Sequence, residues 1–540
     1  MFVDDNFKMD KLALSNVPKL KAQAVLQGVV IGEKLRQKKK SYQKKFKLPN
    51  TDTKKNNCNS PSSGKALLTT TQYLFYETVK KIRKSRSHRG LIGWLSTGSG
   101  KTTIASGIIN AFADTDKTIY YISKHDALKP HEEFVSVLDK MYGSKIENIK
   151  KRLKIISIAS FSNRLTKKEI DLKKSVIIID EAQYLFAQRA VPQFREKHRH
   201  VINTLLSPKA LDAFVFVLTA TPGDDTQECL TLLNLVRKKN EAMATMRSHV
   251  THLLGKLFYL DMSKDLSIFP KVSSKVTEHT LSDPEHLKRY VGKLKTFSKN
   301  NADQKQVKML QKWSNNLFKT DTVSSKILGI YKEIQKTKDE KHYVYSQYGK
   351  QGISDLVKFL ESIGYKQANK MNMNTKSKKF ILAKSSEGFV TSSEKNQVLK
   401  KFNSPENTNG EFISVFLATD SYNTGLDLKD VRHVHFMEPP LNYTDVIQGV
   451  GRGVRMCSHA NLPKKNWTVS VNTHMSLPDG EVMSIDKTVH KKSQETYNDL
   501  NVILDNFRRY SLDCKAMHKF HGGSYKCANS KKVVNGKRWQ

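Results

Sequence analysis

The chain has 540 residues, too many for one ordinary core and suited to two or three domains. Lys and Arg total 92 against 51 Asp and Glu, a formal charge of +41, so the surface attracts polyanions, and nucleic acid is the commonest large one. Five scattered cysteines (Cys58, Cys229, Cys457, Cys514, Cys527) exclude a disulfide-dense scaffold and fit a reducing compartment. No apolar run reaches the ~18 residues of a membrane span.

Residues 1–65 read as a basic N-terminal extension and linker. The opening MFVDDNFKMDKLAL lacks the features of a secretory signal. KLRQKKKSYQKKFK and the Ser-, Asn- and Pro-rich stretch after it bury little. They suit a nucleic-acid contact, an import signal or a plain solvated arm.

From 66 to 265, short β-branched runs recur at Gly90–Leu95, Thr118–Ser123, Leu153–Ile158, Ser175–Ile179 and Phe214–Leu218. They are spaced widely enough for crossover helices, which predicts an α/β domain with a buried parallel sheet. After the first run comes Ser96-Thr97-Gly98-Ser99-Gly100-Lys101-Thr102-Thr103, then a helical pattern. A loop entering a helix N-terminus aims backbone N–H groups at one point, where the helix dipole favours an anion. Gly98 and Gly100 would let the backbone wrap a phosphate. Lys101 would reach the β- and γ-phosphates of ATP, and Thr102 would ligate Mg²⁺. The alternative is a glycine turn before a surface helix.

The fourth run ends in Asp180-Glu181-Ala182-Gln183. A buried strand thus delivers two carboxylates to the sheet edge that carries the phosphate loop. Asp180 would hold Mg²⁺ and Glu181 would act as general base toward water; standing alone, the pair would be a helix cap. The fifth run ends in Thr219-Ala220-Thr221-Pro222, whose hydroxyls would couple to those carboxylates.

Residues 266–320 are rich in Lys, Asp and Ser and read as a linker or insertion. Alternation resumes over 321–475, with strands expected at Lys341–Ser346, Lys379–Leu382, Phe412–Ala418 and Arg432–Met437. Thr424-Gly425-Leu426-Asp427 follows the third of these. Gln448-Gly449-Val450-Gly451-Arg452-Gly453-Val454-Arg455 opens a helix that would set Arg452 and Arg455 on one face, a turn from Gln448. Such a pair makes an anion clamp, either for a γ-phosphate or for a nucleic-acid backbone. Residues 476–540 read as a basic C-terminal region. Within it, Cys514, His518, His521 and Cys527 are four potential zinc ligands at a spacing that fits no standard site.

The ordered set STGSGKT, IIIDEAQ, LTATP, YVYSQY, TGLDLKDVRHVHF, QGVGRGVR resembles helicase superfamily 2 over roughly 66–475. The phosphate loop has Leu95 where the general pattern has Gly, and the shorter Thr-Gly-x-Gly-Lys-Thr is the form helicases use. DLKDVRHVHFMEPPLNYTDVIQGVGRGVRMCSHANLP is similar to the nucleoside triphosphatase I and early-transcription-factor group of poxviruses and other large cytoplasmic DNA viruses. Helicases of yeast cytoplasmic linear plasmids look similar too.

The resemblance implies two RecA-like domains in tandem and ATP hydrolysis stimulated by nucleic acid, DNA before RNA. It also implies a role in viral transcription beside RNA polymerase, in the cytoplasmic viral factory or the virion. It assigns Gln72 to adenine and Gln448, Arg452 and Arg455 to catalysis, and it assigns Gln183, Thr219, Thr221, Gly425 and Asp427 to coupling. Gln183 departs from the His commoner at its position in neighbouring families. Unwinding helicases and transcription subunits with a decayed ATPase share this pattern.

Overall fold

The computed structural model describes residues 58, 70–85, 89–123, 146–186, 192–237, 241–253, 255–261, 263, 266–281, 283–295, 304–315, 323–383, 392–419, 427–479, 482–514 and 526–527. The N-terminal extension apart from Cys58, together with Gly425, His518 and His521, lies outside them. The chain divides into a first unit, Met1–Asp265 with Asn498–Gln540, and a second, Leu266–Tyr497.

In the first unit the strands are β1 (Gly90–Leu95), β2 (Thr118–Ser123), β3 (Leu153–Ser157), β4 (Ser175–Asp180), β5 (Phe214–Thr219) and β6 (Leu257–Leu260). They form one sheet in the order β3-β2-β4-β5-β1-β6, with every pairing parallel. The helices are α1 (Thr70–Ser85), α2 (Lys101–Ala111), α3 (Ile146–Arg152), α4 (Ile158–Thr166), α5 (Arg195–Leu206), α6 (Thr226–Leu235) and α7 (His249–Leu253). β1 and β5 are buried along their whole length. Apolar residues therefore fill both faces of the strands instead of alternating, the signature of a parallel sheet covered on two sides.

The second unit adds β7 (Lys271–Leu281), β8 (Lys341–Ser346), β9 (Lys366–Gln367), β10 (Lys379–Ala383), β11 (Val415–Thr419), β12 (Val431–Phe436) and β13 (Thr468–Pro478). Their order is β7-β13-β12-β8-β11-β10-β9, again all parallel. Its helices are α8 (Pro284–Leu294), α9 (Gln304–Asn315), α10 (Ser325–Lys336), α11 (Ser354–Ser362), α12 (Ser392–Phe402), α13 (Tyr443–Gly453) and the start of α14 (Ile485–Tyr510). Both units are thus parallel-sheet α/β domains, as the alternating pattern requires. No helix among the described residues is long and apolar enough to cross a membrane.

Two stretches differ from the sequence reading. The 266–320 segment, expected as a linker or insertion, contributes a strand and two helices to the second unit: β7 pairs with β13 over eleven residues, and α8 and α9 pack beside it. Its Lys- and Ser-rich sequence reflects an exposed edge strand whose pairing comes from the backbone. The C-terminal region is divided as well. From Asn498 onward it belongs to the first unit, where Leu512 N donates to Leu257 O and Asp513 accepts from Tyr259 N, both on β6.

Cys514 and Cys527 form a disulfide, a pairing that the scattered cysteines and the expected reducing compartment did not lead one to expect; Cys229 is buried and free. The same bond takes two of the four potential zinc ligands, since a sulfur in a disulfide is no thiolate.

Candidate functional site

β1 runs into the loop 96–100 and then into α2. Gly98 and Gly100 hold positive φ, 76° and 84°, a region that costs an L side chain about 1–2 kcal/mol. A Cβ on Gly100 would lie 2.4 Å from the Gln72 amide nitrogen. That amide is buried and donates to Ser99 O at 3.0 Å. Ser99 Oγ donates to Ser96 O at 2.7 Å, and Ser96 N donates to Leu260 O at 2.8 Å. The loop is thereby tied to α1 and β6. No side chain caps α2, and no acidic residue sits in its first turn. The first N–H groups of α2, around Lys101, Thr102 and Thr103, thus have no side-chain cap.

β4 delivers Asp180 and Glu181 beside this loop. The two oxygens of Asp180 have separate donors: Oδ1 accepts from Glu181 N at 3.0 Å and Oδ2 from the Tyr121 hydroxyl on β2. Burial, then the Glu181 charge, raises the Asp180 carboxyl above its ordinary range, against the pull of Lys101. Burial and the Asp180 charge push the Tyr121 phenol well up, so it stays a donor. Nothing in the sequence marks Tyr121, since a tyrosine in a strand reads as core.

Glu181 is in the left-handed region at φ 51°, ψ 54°, which turns its side chain back over the loop. Its Oε1 pairs with Lys101 Nζ. Its Oε2 accepts from Gln183 Nε2 at 2.7 Å, and Gln183 Oε1 accepts from Thr219 Oγ1 at 2.6 Å. A carboxylate only accepts, so the Gln183 amide has one possible orientation and Thr219 must donate. Thr219 Oγ1 in turn accepts from Thr221 N at 3.0 Å. The Thr221 hydroxyl is buried and makes no hydrogen bond. Trp94 on β1 fixes the same turn by donating to Ala220 O at 2.9 Å. Residues expected to act together from three motifs are joined in one chain, Lys101–Glu181–Gln183–Thr219.

In the second unit Gln448 and Arg452 are buried on α13. A Cβ on Gly449 would meet the Phe436 ring at 2.7 Å, so that glycine lets α13 ride close over β12. The expectation that Arg452 and Arg455 share a helical face is corrected. α13 ends at Gly453, and Val454 at ψ 93° carries the chain out of the helix. Arg455 folds back, Nε donating to Gly451 O at 2.9 Å and Nη1 lying 3.5 Å from Asp427 Oδ1. Asp427 is the described part of its motif and is exposed.

The YVYSQY strand ends in a network that the sequence does not announce. Ser346 Oγ and Gln347 N both donate to the buried Glu438, as does Asn315 Nδ2 at 2.7 Å. Burial raises the Glu438 carboxyl to about 7. Lys326 and Asp486 form a fully buried ion pair nearby at 2.6 Å.

Residues 65–224 match the family described as type III restriction enzyme, res subunit, and residues 325–457 match the helicase conserved C-terminal domain. The uncharacterized killer plasmid pGKL-2 helicase of Kluyveromyces lactis is 26% identical over 433 residues, covering 78% of this chain and 66% of the relative. A termination factor NPH-I homolog of African swine fever virus is 22% identical, covering 82% and 79%. A putative ATP-dependent RNA helicase of Acanthamoeba polyphaga mimivirus is 24% identical, covering 79% and 95%. The chain spans less than two thirds of the first relative's length. With the res-subunit match on one parallel-sheet domain, the helicase conserved C-terminal domain match on the other, and relatives among the helicases of large DNA viruses, the chain belongs to helicase superfamily 2.

Proposed function

We propose that the chain is an ATPase stimulated by nucleic acid, which couples hydrolysis to translocation on, or remodelling of, DNA during viral-type transcription. The observation that carries this reading is the connected chain Lys101–Glu181–Gln183–Thr219, joining base, phosphate loop and coupling residues through hydrogen bonds. Ser96 to Thr103 would cradle the ATP phosphates, with Gln72 placed to read the base. Thr102 and Asp180 have the oxygen chemistry that Mg²⁺ takes, and the ion would neutralise phosphate charge.

Glu181 takes the proton of the attacking water. Lys101 and Glu181 pair with one another, and a bound phosphate would compete for Lys101. Glu181 is then left to its other partner, Gln183, and to water. Arg452 and Arg455 would supply positive charge to the developing phosphate. The +41 charge supports sequence-neutral backbone binding with steep salt dependence.

A transcription role rests on the named function of the African swine fever virus relative. The mimivirus relative's name favours RNA as the second substrate. ATP turnover, measured with matched single-stranded DNA and RNA and a strand-displacement readout, tests the reading. Stimulation by DNA with loss of turnover in Glu181→Gln is expected. Turnover indifferent to either nucleic acid refutes the motor, and normal turnover in Glu181→Gln removes Glu181 as base.

A further inference from the structure

Five histidines lie on four neighbouring strands of the second sheet: His342 on β8, His433 and His435 on β12, His474 on β13 and His279 on β7. Four of them form a continuous hydrogen-bonded row. His342 Nδ1 is 3.2 Å from His435 Nε2, His435 Nδ1 is 3.1 Å from His474 Nε2, and His474 Nδ1 is 2.8 Å from His279 Nε2. Adjacent rings in this row lie 5.1–5.4 Å apart between centroids and within 23° of coplanar. That is edge-to-edge N–H···N contact, not face stacking.

The far end of the row sets its protons. His342 Nε2 faces Thr337 O at 3.1 Å, and a carbonyl only accepts. His342 therefore carries its proton on Nε2 and offers a lone pair at Nδ1. His342, His435 and His474 have almost no exposed surface, and burial favours the neutral imidazole. Lys275 on β7 and Lys326 on α10 reinforce this, and Glu333 on α10 opposes it at His279. Gly329 on α10 gives the last ring its room, since a Cβ there would lie 2.1 Å from His279 Cε1.

One ring nitrogen each of His342, His433 and His435 lies within 4.8 Å of the others. We propose that these three histidines form a binding site for one divalent cation of the zinc class, with His474 and His279 as outer partners. The argument is the arrangement around the ring nitrogens. A metal-bound imidazole characteristically donates its other N–H to a carbonyl, carboxylate or similar acceptor. Here His342 has the Thr337 carbonyl, His433 has the Glu340 carboxylate and His435 has His474.

The 3.2 Å between His342 Nδ1 and His435 Nε2 is close to the roughly 3.3 Å that separates two nitrogens bound tetrahedrally to zinc at ~2.0–2.1 Å. The neutral imidazoles need lose no proton to solvent. His435 shifts its proton from Nε2 to Nδ1, His474 and His279 follow, and the two freed lone pairs converge, by a tilt of both rings, on an ion beside the former hydrogen bond. His433 stacks on His342 with centroids 4.6 Å apart, so binding requires its ring to turn out of the stack and bring a nitrogen to the ion. Its side chain is 16% exposed, giving the ion a way in, and Glu340 supplies negative charge beside it against Arg432.

The site shares no residue with the ATP machinery, and its test does not depend on turnover. The full chain, stripped with a chelator, is titrated with Zn²⁺ alone against a chromogenic chelator, and the bound state is examined by X-ray absorption. One ion per chain with a nitrogen and oxygen shell is expected. Affinity should fall at least ~100-fold in His433→Gln and His435→Gln, and ~10–100-fold in His474→Gln. His433→Gln guards against misfolding, because its side chain is partly exposed. Absence of stoichiometric binding, sulfur in the first shell, or a His433→Gln affinity within threefold of the parent chain overturns the proposal.

Discussion

Gly100→Ala should damage the phosphate loop in a way that depends on Gln72. Two separable costs follow from the geometry. The left-handed backbone, φ 84°, costs an alanine about 1–2 kcal/mol. The new Cβ, built 2.4 Å from Gln72 Nε2, displaces that amide from Ser99 O and leaves a buried donor without its acceptor, another ~1–3 kcal/mol. Together they amount to roughly 2–5 kcal/mol in Gly100→Ala. Gln72→Ala alone removes the hydrogen bond and the obstacle at once. The double variant should then lose only the backbone part relative to Gln72→Ala. Urea denaturation of the four proteins gives the coupling energy, expected at about 1–3 kcal/mol. Nucleotide affinity measured on the same set should recover in part in the double variant. Additive losses, within about 0.5 kcal/mol, would show that Gln72 does not press on Gly100 and that the loop tolerates the side chain elsewhere.

Gln183→Leu keeps the volume but removes the link between Glu181 and Thr219, and single-turnover ATP hydrolysis should fall about 10–100-fold with little change in nucleotide affinity. Lys326→Met strands a fully buried Asp486 and should cost ~3–5 kcal/mol in chemical denaturation, whereas Lys326→Met with Asp486→Leu should cost much less. Burial holds Asp513 at about 7, above its ordinary 3.8, so the folded state binds the extra proton and the parent chain loses stability as pH rises from about 4 through 7. Asp513→Asn still accepts from Tyr259 N, and melting temperatures across that range should fall less steeply for it than for the parent chain.

The strands legible in the sequence are those buried on both faces. GLIGWL, TIYYIS and FVFVLT are continuous apolar or β-branched runs, and the structure places strands on them within a residue or two. β7 and β13 were not legible, because KVSSKVTEHTL and TVSVNTHMSLP mix polar and apolar residues. In β7 most residues are exposed, and a polar position of β13 takes its partner from β7, where Thr277 Oγ1 donates to Asn472 Oδ1 at 2.9 Å. Site motifs carried by a loop or strand end were readable because their spacing is local. Arg455 misled because helical spacing was extended past Gly453, where the helix stops. Tyr121 and the histidine row were invisible for a different reason: their partners come from other strands, and one sequence does not reveal strand order.

The conformation of Glu181 ties these observations together. A glutamate in the left-handed region costs about 1–3 kcal/mol unless its surroundings impose it. Here they do. Lys101 holds one carboxylate oxygen and Gln183 the other, while its own N–H is anchored on Asp180, which Tyr121 holds in turn. In an ordinary strand-to-helix turn the residue after Asp180 would relax to negative φ and its side chain would leave the phosphate loop. The strain is therefore held by the same contacts that place the carboxylate beside Lys101. Glu181→Asn accepts that backbone more readily, so it should keep the turn at lower cost while leaving Lys101 without its carboxylate. A loss of turnover in Glu181→Asn with folding stability equal to or above that of Glu181→Gln would separate position from charge. Lower stability than Glu181→Gln would mean that the reach of the longer side chain to Lys101 and Gln183, not the backbone, dominates the energetics of the turn.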